Sequence, residues 1–259
     1  MKKLLTAILL TAMALTLTPA IGQDKKKIRI GIEAAYPPFS EELADGTYKG
    51  FDIDIANALC ESMKAECTLV KQEWDGMIPA LMAKKFDAIV ASMSITEERK
   101  QKVDFTNKYY QTPARFVRKK GSGIEINAES LKGKTVGVQK ATIHEKFLND
   151  NYGNAVTVKS YGSQDEVYLD LKAGRVDLIL QDSVAAQEGF LKTEAGKDYE
   201  FVGPKFSDPK WFGEGAGIAI RKGDNALRDA LNKAIDDIRA NGKYKEIQDK
   251  YFDFDVYGT

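Results

Sequence analysis

The chain contains one pattern twice, as LMAKKFDAIVAS at residues 81–92 and as LKAGRVDLILQD at residues 171–182. The copies share Leu, Ala, Asp and Ile at a constant offset of 90 residues, and they end in Ser92 and Asp182. A second match precedes them in the same order, because Gly31 in RIGIE lines up with Gly137 in TVGVQ. Two matches in the same order predict two lobes that are built alike.

Short β-branched segments alternate with amphipathic segments in the first half of the chain. Strands are predicted at 28–32, 68–71 and 87–91, and helices are predicted between them at 51–63 and 75–84. This alternation indicates βαβ units and a mainly parallel sheet, so the predicted fold class is α/β.

The tail that follows the second copy predicts a strand and two helices. The strand begins near Gly217, and the next helix has Asp224 as its N-cap and ends at Asn241-Gly242. A last helix is predicted up to about Lys250. Because the tail must dock on one of the lobes, the chain is expected to cross between them twice.

The predicted lobe limits follow from these crossings. The first lobe comprises 23–111 and 215–259, and the second lobe comprises 114–207. The hinges lie near 111–114 and 207–215, where Pro and Gly tolerate unusual backbone angles.

Polar residues stand at equivalent strand ends in the two predicted lobes. Glu33 and Ser92 belong to the first lobe, and Gln139 and Asp182 belong to the second. Open α/β sheets bind ligands outside the carboxyl ends of their strands. Two lobes that face each other would therefore place these four residues across one cleft.

The first 22 residues differ from the rest of the chain. Lys2 and Lys3 precede an apolar run, and small residues follow up to Gly22, which is typical of a cleaved signal peptide. A membrane anchor is the alternative, but the run is shorter than the roughly 20 residues that a spanning helix needs. We predict export, a mature chain from about Gln23, and no membrane insertion after cleavage.

The two cysteines agree with an exported protein. Cys60 lies near the end of a predicted helix and Cys67 begins the next strand, so we predict a disulfide between them. Two free buried thiols are the alternative. Two Cys and a single His match no zinc spacing, and we expect no metal and no cofactor.

Charge and histidine content exclude several functions. The 38 Lys and Arg residues balance the 38 Asp and Glu residues, so the basic surface that nucleic acid requires is not expected. The only histidine, His144, begins a predicted helix, which favours a cap or surface residue, leaves a cleft residue as the alternative, and argues against a catalytic base. Acid/base chemistry by Glu33, Asp52 and Asp182 stays open.

The segment from Ser92 to Arg99 carries the most information about function. It follows a buried strand, offers the hydroxyls of Ser92 and Ser94, and begins a helix with Thr96 as N-cap. Arg99 one turn later can hold a carboxylate through two parallel hydrogen bonds. A solvated Arg paired with a neighbouring acid is the alternative.

The mature chain resembles the periplasmic polar-amino-acid-binding proteins of ABC importers along essentially its whole length, especially those for lysine/arginine/ornithine, arginine/ornithine and histidine. The motifs that carry the resemblance include Ile28-Arg-Ile-Gly-Ile32, Ser92-x-Ser94-Ile-Thr-x-x-Arg99, Asp104-Phe-Thr106, Ala173-Gly-Arg-x-Asp177 and Tyr251-Phe-Asp-Phe-Asp255. The resemblance implies a type II periplasmic-binding-protein fold. Each lobe would be a mixed, mainly parallel sheet flanked by helices, and two strands would form the hinge.

The resemblance also implies roles in a clamp for the α-amino acid group. Arg99 would bind the ligand carboxylate together with Ser94. Asp182 would accept from the ligand ammonium group, with Ser92 and Ser94 beside it.

The resemblance places the ligand side chain between two aromatic rings, those of Tyr36 and Trp74, with Glu33 at the distal charge. This sequence has Ile143-His144 where the relatives carry Thr-Gln, and Ala91 where they carry Ser. The predicted ligand-binding residues are Glu33, Tyr36, Trp74, Ser92, Met93, Ser94, Arg99, Gln139, Ile143, His144 and Asp182.

The predicted function is capture of a basic L-amino acid and delivery to the permease subunits of an ABC importer. Arginine or ornithine is expected first, then lysine or histidine, and the protein is expected to be a monomer and not an enzyme. Two alternatives stay open: a dehydratase that uses cleft acids, and a protein that presents its ligand to a chemoreceptor.

Overall fold

The computed structural model describes residues 26–258. The predicted signal peptide at 1–22 and the predicted mature N-terminus at Gln23 lie outside the described residues. The strands are β1 (Lys27–Ile32), β2 (Ala35–Tyr36), β3 (Ser40–Glu42), β4 (Tyr48–Lys49), β5 (Glu66–Lys71), β6 (Ala88–Ile89), β7 (Val103–Tyr110), β8 (Ala114–Lys119), β9 (Thr135–Gln139), β10 (Thr157–Tyr161), β11 (Leu178–Asp182), β12 (Tyr199–Phe206) and β13 (Ala216–Arg221).

The helices alternate with these strands along the chain. The α-helices are α1 (Phe51–Ser62), α2 (Met77–Met82), α3 (Glu97–Lys100), α4 (Ala128–Leu131), α5 (Ile143–Tyr152), α6 (Gln164–Lys172), α7 (Ser183–Ala186), α8 (Pro209–Phe212), α9 (Asn225–Ala240) and α10 (Lys243–Tyr251). Short helical turns of 3₁₀ or π type lie at Trp74–Gly76, Gln187–Leu191 and Glu194–Gly196.

The first sheet has the strand order β5-β1-β6-β13-β7. Strand β1 is parallel to β5 and β6, whereas β13 is antiparallel to β6 and β7. Apolar side chains of α1, α9 and α10 pack on one face, and those of α2 pack on the other. Both faces are therefore buried, which explains the nearly continuous apolar character of the central strands.

The second sheet repeats this arrangement with the order β10-β9-β11-β8-β12. Strand β9 is parallel to β10 and β11, and β8 is antiparallel to β11 and β12. Gly31 of β1 pairs with Ile89 of β6, and Gly137 of β9 pairs with Ile179 of β11. The register confirms the repeat predicted from the sequence, and each sheet is mixed and flanked by helices, as predicted.

Buried side chains lie directly against the strands at the two matched glycines. A Cβ atom on Gly31 would lie 2.7 Å from the ring of Phe86. A Cβ atom on Gly137 would lie 3.2 Å from Val167 and 3.3 Å from Val176. The second sheet therefore leaves slightly more room at the equivalent position.

Gly31→Ala is expected to lower the free energy of unfolding by about 1 to 3 kcal/mol, because the buried ring of Phe86 must move. Gly137→Ala is the matched comparison and should cost less, since its neighbours need to shift by only a few tenths of an ångström. Urea unfolding of both variants measures the difference. Equal losses would show that the space above Gly31 is not the limiting factor.

The chain passes between the sheets at two places. Strand β7 ends in the first sheet at Tyr110, and β8 begins in the second at Ala114. The segment 207–215 was predicted as the second crossing, but it contains α8, which packs on α5 through a contact between Phe147 and Phe212 at a ring distance of 4.9 Å. The stretch that joins the sheets is therefore 213–215.

Most predicted elements are present, with shifted ends. Helix α9 begins after Asp224, whose carboxylate accepts a hydrogen bond from the Leu227 amide, as predicted. The predicted strand at 87–91 is shorter in the structure, because only Ala88–Ile89 pairs with neighbouring strands. The helix predicted at 75–84 is divided into a 3₁₀ turn and α2.

A disulfide joins Cys60 of α1 to Cys67 of β5, which confirms the predicted pairing. The alternative of two free thiols is wrong. Among residues 26–258, no helix has the length and apolar character needed to cross a membrane.

Candidate functional site

The polar residues predicted at strand ends lie on the two sides of one cleft. Glu33 follows β1 and Ser92 lies three residues beyond β6, whereas Gln139 and Asp182 end β9 and β11. The Gln139 Nε2 atom donates a hydrogen bond of 2.5 Å to the Glu33 Oε1 atom across the cleft. The two lobes are thus in direct contact at the carboxyl ends of their strands.

Two adjoining cavities occupy the cleft. One is lined by Glu33, Tyr36, Trp74, Ala91, Ser92, Ser94, Arg99, Gln139, Thr142, Ile143, His144 and Gln164. The other is slightly larger, shares Tyr36, Ser92, Ser94, Ile143 and His144 with the first, and extends to Thr112 and Asp182. The shared walls make them two ends of one binding space.

Met93 is the predicted site residue that lines neither cavity. Its side chain is buried in the hydrophobic core of the first lobe, whereas Ser92 and Ser94 face the cleft. Neighbouring side chains of this segment thus lie on opposite sides of the chain. Met93 therefore contributes to the core and not to the cavity wall.

Ser92 is held in place by a buried carboxylate beneath it. Its Oγ atom donates to Asp52 at 2.9 Å, and the Tyr109 hydroxyl donates to the other oxygen of Asp52 at 2.8 Å. Ser92 has a φ of 53°, a left-handed backbone conformation that residues other than glycine rarely adopt. Burial raises the pKa of Asp52 to about 7, and Asp52 lines neither cavity. Asp52 is thus a support for Ser92 and not a cleft acid.

Arg99 lies in the cleft without a carboxylate partner in the described part of the chain. Thr96 caps α3 by accepting from the Arg99 amide, which places the guanidinium group at the cavity wall. The guanidinium group donates to the Ser94 carbonyl at 3.0 Å and lies 5.3 Å from the Trp74 ring. Burial lowers its pKa to about 10, so it is charged at neutral pH and suited to an anion.

Asp182 is the corresponding negative group of the second lobe. Its Oδ1 atom accepts from the amides of Val184 at 2.8 Å and Ala185 at 3.0 Å, and the Thr112 hydroxyl donates to Oδ2. Burial raises the pKa of this carboxyl, whereas these three donors oppose the shift. A cation bound in the cleft would give this carboxylate an ionic partner.

The far end of the cleft combines aromatic walls with Glu33. Trp74 donates through Nε1 to the Ala141 carbonyl at 3.2 Å, and Tyr36 lines both cavities. Glu33 is only 6% exposed, and burial raises its pKa to about 7 although Gln139 donates to it. The aromatic walls and the carboxyl group of Glu33 suit a ligand whose side chain has an apolar stem and a hydrogen-bond donor at its end.

His144 lines both cavities, in keeping with its place among the predicted ligand-binding residues and not with the cap or surface position that its helix alone favours. The N-cap of α5 is Thr142, which accepts from the Glu145 amide at 3.2 Å, and Ile143 is the first residue of the helix. Burial lowers the pKa of His144 to about 3, and the charge of Arg99 adds to the shift. The imidazole is therefore neutral at physiological pH.

Sequence reasoning missed several cavity residues. Thr112 was noted only as part of a crossing, and Gln164 gave no signal because it resembles an ordinary polar residue in the first turn of a helix. Both lie next to predicted residues only in the folded chain.

Within residues 26–258, no cluster of His, Cys, Asp and Glu is arranged to hold a metal ion.

Two α/β lobes whose strand ends face a charged cleft define a type II periplasmic binding protein. The chain belongs to the bacterial extracellular solute-binding proteins, family 3, whose family model matches residues 28–254. It is therefore a solute-binding protein of the periplasm.

Curated relatives and solved structures agree with this family. The chain is 56% identical to the L-arginine-binding protein of Pseudomonas aeruginosa and 48% identical to the histidine-binding periplasmic protein of Escherichia coli K12, in both cases over 100% of each chain. It is 37% identical to an ancestral arginine-binding protein bound to arginine, with a TM-score of 0.81 over 88% of this chain and 99% of that chain. The relatives named here carry the names of binding proteins and not of enzymes.

Proposed function

We propose that the protein captures a basic L-amino acid, arginine or ornithine before lysine or histidine, and delivers it to the permease subunits of an ABC importer. One observation carries the proposal. Three ionisable groups, the guanidinium of Arg99 and the carboxyls of Asp182 and Glu33, line one cleft and form no ion pair within the described chain. A zwitterion with a cationic side chain has the complementary charges, and the names of the relatives support this class of ligand.

In this proposal the α-carboxylate pairs with Arg99 beside Ser94, and the ammonium group approaches Asp182. The ligand stem lies between Tyr36 and Trp74, where a cationic side chain gains a cation–π interaction. Glu33 takes the distal charge. The remaining cleft residues shape the space around these groups: Ser92, Gln139, Ile143 and His144.

Closure of the lobes is the mechanism that we infer for capture and delivery. We take the lobes as predicted, except that α8 belongs to the second lobe because it packs on α5, and they move about the two crossings. Contacts already bridge them, since Lys140 forms an ion pair of 2.6 Å with Asp75 and Trp74 donates to Ala141. A ligand held by groups of both lobes favours the closed arrangement because it binds that arrangement better.

Binding without chemistry is favoured over catalysis. The fold alone does not exclude an enzyme, and a dehydratase that uses cleft acids was the alternative. Arg99 and Asp182 fit the two charged groups of an α-amino acid, whereas Asp52, one of the candidate acids, lies outside the cavities. We expect a monomer that releases its ligand unchanged, and the same closed face can serve a chemoreceptor.

A thermal-shift screen of the mature chain tests the proposal. The ligands are the twenty common amino acids with ornithine and citrulline added. Arginine and ornithine should raise the melting temperature most, because a ligand that binds only the folded state stabilises it. Calorimetry with the leading ligand then gives affinity and stoichiometry. A screen in which no amino acid shifts the melting temperature would overturn the proposed function.

Lowering the pH from 8 to 6 should weaken arginine binding by about tenfold, because Glu33 with a pKa of about 7 becomes protonated over this range. The same change should stabilise the protein without ligand. Glu33 and Asp52 titrate in the fold well above their ordinary range, so ionising them at high pH opposes folding. His144, with a pKa of about 3, does not titrate here.

Calorimetric titration at each pH and urea unfolding without ligand measure these opposite trends. Glu33→Gln is the control and should make arginine affinity nearly independent of pH. A pH dependence that persists in this variant would assign the effect to Asp52.

A further inference from the structure

Gln164 is a buried polar residue of the cleft whose side-chain amide has no partner. It is 3% exposed, and its Nε2 atom forms no hydrogen bond with any residue of 26–258. Arg115 and Gln181 also have an unpaired buried atom, but neither lines the cleft. Gln164 shares the smaller cavity with Glu33. The oxygen of the same amide accepts no hydrogen bond from a residue of 26–258 either, so it can accept one from a ligand in this cavity.

The position of Gln164 is fixed by the turn that precedes it. Ser163 caps α6 and accepts from the Glu166 amide, while the Glu166 carboxylate accepts from the amides of Gly162 at 2.8 Å and Ser163 at 3.2 Å. Gln164 is the first residue of this helix. A rigid turn presents its side chain to the cavity at little further entropic cost on binding.

The neighbouring Gln139 has its amide nitrogen already engaged. That nitrogen donates to Glu33 at 2.5 Å and to the Gly162 carbonyl at 3.3 Å. No hydrogen bond to a described residue holds the Gln164 amide in one orientation. The oxygen is the amide atom that is not fully enclosed, so it is available to accept a hydrogen bond from a ligand.

We propose that Gln164 selects a guanidinium group over a terminal ammonium group, an inference that rests on the proposed function. Its amide oxygen accepts one N–H of the guanidinium while Glu33 accepts others. A guanidinium is planar and has five donors spread over a fork, so it can reach two separate acceptors. The ammonium group of ornithine carries its charge on one compact nitrogen. The carboxylate of Glu33 alone can pair with that charge.

Gln164→Met tests the proposal, because methionine has a similar length and makes no comparable hydrogen bond. Calorimetric titrations with arginine, ornithine and lysine give the selectivity. Arginine affinity should fall about tenfold, and ornithine and lysine affinities should each change by less than threefold. Gln248→Met is the control, since Gln248 is buried in α10 outside the cleft and should leave the ratio unchanged.

The outcomes separate this inference from the proposed function. If the wild-type protein binds no basic amino acid, the proposed function fails. If it binds arginine but Gln164→Met lowers arginine and ornithine affinities equally, or lowers neither, only the role of Gln164 fails. Circular dichroism reports whether the variant folds. If it does not, Gln164→Asn, which keeps a shorter amide, should show the same loss of preference for arginine.

Discussion

Arg99→Met and Asp182→Asn should each weaken the binding of every α-amino-acid ligand, by about 2 to 5 kcal/mol, because a buried ligand charge loses its partner. The two residues are assigned to groups that all α-amino acids share. Arginine, ornithine and lysine should therefore lose affinity together, with their order of preference preserved. Isothermal titration calorimetry with the three ligands measures both the loss and the order.

Matched controls for this prediction exist in the same chain. Arg115 also donates to a backbone carbonyl and stacks on an aromatic ring, yet it lies outside the cleft, so Arg115→Met should leave binding unchanged. Asp224 caps α9 as Asp182 caps α7, and Asp224→Asn controls for a lost helix cap. Near-native affinity in the Arg99 or Asp182 variant would contradict the assignment of that residue.

Glu33→Gln should reduce the affinity for arginine by at least about thirtyfold, near 2 kcal/mol, because the distal cation then faces a neutral amide. Citrulline has nearly the shape of arginine but a neutral side chain. Its affinity should change little or improve, since the wild-type carboxylate leaves a charge unpaired beside a neutral ligand. Competition calorimetry with the two ligands gives the ratio.

Glu73→Gln is the control for Glu33→Gln. It removes the same charge from an exposed residue whose field acts on Glu33. This variant should change arginine affinity only slightly. Equal losses for arginine and citrulline in Glu33→Gln would show that Glu33 has a structural role, and the distal charge would then have to be met by Gln139, Gln164 or water.

Much of the fold could be predicted because its signals are local. The repeat at an offset of 90 residues, the alternation of strands and helices, and the N-caps Thr96 and Asp224 depend on short stretches of chain. The pairing of Cys60 with Cys67 also follows from a separation of only seven residues. Each of these features is confirmed in the structure.

The ends of helices and strands and the directions of neighbouring side chains were harder to predict from the sequence. The strand predicted at 87–91 has only two paired residues, because pairing needs partners from β1 and β13. Met93 was counted with Ser92 and Ser94, although its side chain points to the core. Both outcomes depend on the elements that pack around this segment, which a single sequence does not show.

The sequence by itself determined that this is an α/β protein of two similar lobes, and it indicated the strand ends as the place for ligand binding. Only the tertiary structure decided which polar groups meet there. Gln139 donates to Glu33 across 106 residues of chain, and Gln164 joins the same cavity with its amide unpaired. The physical reason is that strand, helix and cap signals arise within one or two turns of chain. A binding site, in contrast, is formed by distant segments that come together only when the hydrophobic cores bring the two sheets face to face.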